Sequence, residues 1–101
     1  MENVIIEIMI INFHDKETEK IWNNTYSKRY PTEIQKIAKR KLLQIHAAVG
    51  INDLRIPPGN RLHDLKDDRK GQWSISINDQ WRICFKWHEN NAYDVEIVDY
   101  H

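Results

Sequence analysis

Gln72-Trp73-Ser74-Ile75-Ser76-Ile77-Asn78-Asp79-Gln80-Trp81-Arg82-Ile83-Cys84-Phe85-Lys86-Trp87 decides the fold. Apolar residues at 73, 75 and 77, and again at 81, 83, 85 and 87, alternate with polar or small ones. A period of two is that of a strand with one face buried. Asn78-Asp79-Gln80 interrupts it with residue types that tight turns favour, so the stretch predicts a β-hairpin. Tyr93, Val95 and Ile97 alternate with Asp94 and Glu96 beyond a second turn at Asn90-Asn91, which extends the hairpin into a meander. If Trp73, Ile75, Ile77, Ile83, Phe85, Val95 and Ile97 face the helices, the opposite face carries Ser74, Ser76, Arg82, Lys86, Val98 and Tyr100. That face has no evident apolar cover. A polar sheet face with cations and a phenol suits RNA, whose bases stack on aromatics and whose phosphates attract guanidinium groups.

Upstream the period lengthens. Val4–Phe13 is rich in Ile and predicts a strand. Asp15 is a natural N-cap for a short helix with Ile21, Trp22 and Tyr26 on its apolar side. Pro31-Thr32-Glu33-Ile34-Gln35 predicts a second helix, with Thr32 and Gln35 as a reciprocal capping box. Ile34, Ile37, Ala38, Leu42, Ile45 and Val49 follow at helical spacing and Gly50 stops it. Pro57-Pro58-Gly59-Asn60 is a loop. The order of elements predicts one α+β domain over residues 1–101, with two helices on one face of a small, mainly antiparallel, curved sheet.

The bulk properties exclude more than they assign. A single Cys84 leaves no internal disulfide and no cysteine-based zinc pattern, and points to a reducing compartment, the cytoplasm. No apolar run is long enough for a membrane span. Formal net charge is zero, but Lys28, Arg29, Lys36, Lys39, Arg40 and Lys41 cluster within residues 28–46 against one acid, Glu33. Such a segment is either a phosphate-facing stripe or the solvated face of a helix. No two histidines lie three or four apart, so neither a metal nor another cofactor is expected.

Two imidazoles lie among charged groups. His63 sits between Arg61 and Lys66, with Arg69 and Lys70 just beyond; His101 follows Asp99 and Tyr100. Histidine exchanges protons near neutral pH, and fixed cations stabilise charge that develops on a phosphate. His63 and His101 are the candidates for proton transfer, and Lys66, Arg69 and Arg82 for charge stabilisation. Taken singly, each has a plainer explanation, a solvated loop histidine or a cross-strand ion-pair partner. His14, His46 and His88 read as structural or surface residues.

Arg61-Leu62-His63-x-Leu65-Lys66-x-Asp68-Arg69-x-Gly71-x-Trp73-Ser74-Ile75, then Asn78-x-x-Trp81-Arg82-Ile83-x-Phe85, then Asp99-Tyr100-His101, resembles the HigB-type toxins of the RelE/ParE toxin–antitoxin superfamily. The similarity runs over residues 9–101 and is strongest from Asn60 onward, which makes residues 1–8 an extension before a family-like start at Met9. The resemblance implies a RelE-like microbial RNase fold and a ribosome-dependent, metal-independent endoribonuclease that cuts mRNA in the decoding site. It also implies a HigA-type helix-turn-helix antitoxin as partner. DNA would be met only through that complex. By the same resemblance the catalytic positions are His63, Lys66, Arg82, Asp99, Tyr100 and His101. RNA contacts are expected from Arg61, Arg69, Lys70, Lys36, Lys39 and Arg40. Two alternatives share the fold class: a ParE-like inhibitor of DNA gyrase that cuts nothing, and a non-catalytic protein-binding module. A gyrase inhibitor has no need of paired histidines at 63 and 101, which favours the nuclease.

Overall fold

The computed structural model describes residues 10–100. Two helices, α1 (Lys16–Trp22) and α2 (Thr32–Ala47), precede four strands, β1 (His63–Asp64), β2 (Gln72–Ser76), β3 (Trp81–His88) and β4 (Asn91–Asp99). The strands form one antiparallel sheet in the order β1-β2-β3-β4. Ile10 and Phe13 bridge Ala92 and Val95 in parallel along the free edge of β4. The sheet is therefore mainly, not wholly, antiparallel. The part of the expected first strand before Ile10, the start at Met9, and His101 lie outside the described residues.

Period dictates packing as expected. Ile34, Ala38, Leu42 and Ile45 of α2 are buried against Ile75, Ile83, Phe85, Val95 and Ile97 of the sheet. All four tryptophans pack at the margin of this core. Asp15 caps α1 by accepting from the Thr18 backbone N–H at 2.7 Å. Thr18 then ties the helix to the sheet, since its hydroxyl accepts from Ile97 N–H at 3.1 Å and meets the Tyr30 hydroxyl at 3.2 Å.

Four local expectations are corrected. The Thr32–Gln35 capping box does not form: Pro31 is the N-cap. The Gln35 amide instead donates to the carbonyls of Ser27 (2.7 Å) and Tyr30 (2.9 Å), fastening the α1–α2 loop. The second helix ends at Ala47, before Gly50, and Val49 is exposed. Tyr93 faces the polar side, opposite Lys86, because Asp94 and Val95 together oppose Phe85 across a β-bulge. Asp94 has a left-handed backbone (φ 52°) there, and one extra residue inverts the parity of what precedes it. Finally, Ser74 and Ser76 are buried on the face expected to be bare, under arginine side chains described below.

The bulge is pinned from the N-terminal segment. Asn12 donates to the Asp94 carboxylate at 2.7 Å and accepts from its backbone N–H at 3.0 Å, while Lys86 Nζ lies 3.1 Å from the other carboxylate oxygen. The Asn12 hydrogen bond, followed by Lys86, holds the Asp94 carboxyl below its usual range. A depressed carboxylate stabilises fully above its unfolded pKa and loses that contribution as pH falls through the folded one. Asp94→Asn, which still tolerates the left-handed backbone, should therefore flatten the decline in melting temperature between roughly pH 4 and pH 2. An unchanged decline in parallel thermal melts would assign the acid sensitivity elsewhere.

Candidate active site

Arg82 is the centre of the polar face. On β3 it stands opposite Ser76 of β2 and Val98 of β4. Its Nε donates to Ser74 Oγ at 2.8 Å, and its Nη2 donates to the carbonyls of Arg61 (2.7 Å) and Ser74 (3.3 Å). The Tyr100 ring covers it, with the guanidinium carbon 5.5 Å from the ring centroid. A planar fork held at both ends and stacked on an aromatic is fixed before any ligand arrives. Burial pushes the Arg82 pKa down, Tyr100 acts against this, and the neighbouring Arg61 charge adds to it. The group starts from so high a value that it stays a cation at neutral pH.

Three segments bring the rest together. Arg61 adopts a left-handed conformation (φ 46°) just before β1, and its guanidinium donates to Ser76 Oγ at 3.2 Å and Asp79 at 3.4 Å. His63 opens β1 in register with Ser74 and is exposed. Tyr100 continues β4, its backbone N–H donating to the Gln80 carbonyl at 2.7 Å. Arg61, Leu62, His63, Asp79, Arg82 and Tyr100 line one cleft of about 410 Å³. A ligand there meets an imidazole, two guanidinium groups and an exposed aromatic ring, a set suited to an anionic ligand with a planar base.

The other expected site residues are distributed more widely. Asp99 lies one residue before Tyr100, opposite Trp81, and accepts from the Gln80 side chain at 3.2 Å. Lys66 is exposed outside the cleft lining, 3.6 Å from Asp64. Arg69 is not brought to His63: it pairs with Glu96 at 3.3 Å and lines a separate polar cleft of about 470 Å³ with His14, Gln72, Lys86 and Asp94. Lys70 is exposed. Lys36 and Lys39 line a groove with Ile21 and Tyr26, where Lys39 is held by the Trp22 carbonyl and stacks 4.4 Å from the Trp22 ring. Arg40 is exposed, and Lys41, the last cation of the basic segment, is buried. Ser74 and Ser76, which hold the two guanidinium groups, had no signal as site residues beyond sharing a strand face with Arg82. His14 and His88 sit near Glu96 and Glu89, each 3.8 Å away, and His46 packs on Trp22.

Two helices laid on one face of a four-stranded sheet, with a cationic and aromatic cleft on the other, define the class. The fold matches a chain of the YoeB-YefM complex from Staphylococcus aureus, with a TM-score of 0.60 at 18% identity, over 95% of this chain and 99% of that one. The family described as the RelE-like toxin of type II toxin-antitoxin system HigB matches residues 11–101. Toxin HigB-1 of Vibrio cholerae serotype O1 is 40% identical over 85 residues, 83% of this chain and 90% of that protein. Endoribonuclease HigB of Proteus vulgaris is 31% identical over 93 residues, 92% of this chain and 100% of that protein. The chain belongs to the HigB-like toxin family of type II toxin–antitoxin systems. No helix among the described residues is long and apolar enough to cross a membrane.

Proposed function

We propose that this chain is a ribosome-dependent mRNA endoribonuclease of the cytoplasm, restrained by a HigA-type helix-turn-helix antitoxin. The observation that carries the reading is the clamped Arg82 in one cleft with His63 and Tyr100. The Proteus vulgaris relative, named an endoribonuclease and matched over its whole length, points the same way.

In this reading no metal takes part, and the proton steps fall to imidazoles. His63 takes the proton of a ribose 2′-hydroxyl. The freed 2′-oxygen attacks the adjacent phosphorus, the bond to the 5′-oxygen breaks, and His101 returns a proton to that leaving oxygen. The products are a 2′,3′-cyclic phosphate and a 5′-hydroxyl. Arg82 stabilises the charge on the equatorial phosphate oxygens, with Arg61 beside it. Lys66 and Asp99 act from the rim, and the free face of Tyr100 stacks on a base. Lys36 and Arg40, which make no ion pair among the described residues, are left to meet ribosomal RNA.

Adding the protein to translating ribosomes and mapping mRNA 5′ ends tests the reading. New 5′-hydroxyl ends within ribosome-bound codons are expected, and none on the same mRNA free of ribosomes. Intact mRNA together with loss of gyrase supercoiling would replace this reading by the gyrase inhibitor. Intact mRNA with unaffected gyrase would leave a binding module.

A further inference from the structure

Lys41 is a lysine of the interior. Only 6% of its surface is exposed, and its ammonium donates to the side-chain oxygen of Asn60, which is itself fully buried. The Asn60 amide donates to the carbonyls of Leu54 (3.1 Å) and Ile56 (3.4 Å) and to the side chain of Gln44 (3.0 Å). Lys41 and Gln44 are one turn apart on α2, so the helix grips a single loop asparagine from two positions. Among the described residues no carboxylate pairs with the ammonium, and removing a charge from water carries a cost that an apolar residue at 41 would avoid. Filling space does not explain a lysine here.

The position of the knot does. The residue after Asn60 is Arg61, whose backbone turns left-handed and whose carbonyl receives Arg82 Nη2 at 2.7 Å. Two residues further on, His63 enters the sheet. One peptide unit separates the buried knot from the cation clamp. We propose that Lys41, Asn60 and Gln44 are positioning residues of the cleft. They bolt the loop to α2, so that the Arg61 carbonyl sets the angle of the Arg82 guanidinium beside His63. The kinetic consequence rests on the nuclease reading; the geometric one does not.

Lys41→Met keeps the stem and removes the ammonium. In the full-length chain it should lower kcat for cleavage of ribosome-bound mRNA by up to about 10²-fold, as small misplacements of a charge donor do, with KM little changed. Solvent exchange of the Arg82 Nε–H, followed by NMR, should quicken. In an Arg82→Ala background the same substitution should cost no further activity, because the two act through one contact. A residue that only supports the fold would cost the same factor in both backgrounds and leave Arg82 exchange as in the native chain. Either result overturns the proposal. Gln44→Leu, at a half-buried position, should shift the same readouts in the same direction by less, and it serves if Lys41→Met fails to fold. If the native chain cleaves nothing while the variants still release Arg82, the nuclease reading falls and the positioning role stands.

Discussion

Arg82→Ala is expected to reduce mRNA cleavage by about 10²–10³-fold, the loss typical of removing one preorganised charge donor. The expected loss is large because the guanidinium has three hydrogen bonds and a ring holding it in place. Arg82→Lys should rescue little. An ammonium has the charge but lacks the planar fork that reaches Ser74 and Arg61 together. Stability should fall modestly, by about 1–3 kcal/mol for leaving Ser74 buried without its partner. The measurement is the initial rate of appearance of new mRNA 5′ ends, set beside a thermal melt. Native rates in the alanine variant would remove Arg82 from the mechanism.

His63→Ala should abolish measurable cleavage, since loss of a general base costs about 10²–10⁴-fold. Its side chain is exposed on a two-residue strand and is no member of the core cluster. Stability should therefore stay within about 0.5 kcal/mol of the native value. The pair of results matters more than either alone: a melting temperature at the native value with cleavage gone isolates chemistry from folding. A well-folded His63→Ala protein that cleaves normally would require the proton transfers to be reassigned.

The sheet was legible because its period is unambiguous. Trp73 to Ile77 and Trp81 to Trp87 each alternate without a break, and the turn at Asn78-Asp79-Gln80 falls between them. The alternation groups Tyr93 with Val95 and Ile97 because a bulge leaves no mark on hydrophobic pattern; only an Asp able to take a left-handed backbone hints at it. Gln35 was misread for a related reason. Its spacing from Thr32 satisfies the capping rule, but the loop carbonyls of Ser27 and Tyr30 come nearer in space. Of the candidate site, His63, Arg82 and Tyr100 could be picked by residue type, but strand parity placed only Arg82 and Tyr100; His63 read as a loop residue and opens a two-residue strand. Arg69 could not be excluded from sequence, because its partner Glu96 is 27 positions away. Lys41 looked like its basic neighbours, since charge density says nothing about which way one helical lysine points.

The cleft draws its walls from residues 61–63, 79–82 and 100, and β4 must be paired before Tyr100 can cover Arg82. The N-terminal segment likewise finds its place only along β4. Asn12 thus meets Asp94 across 82 positions of chain, and contacts so distant form late. The cleft is therefore among the last parts of the fold to be completed.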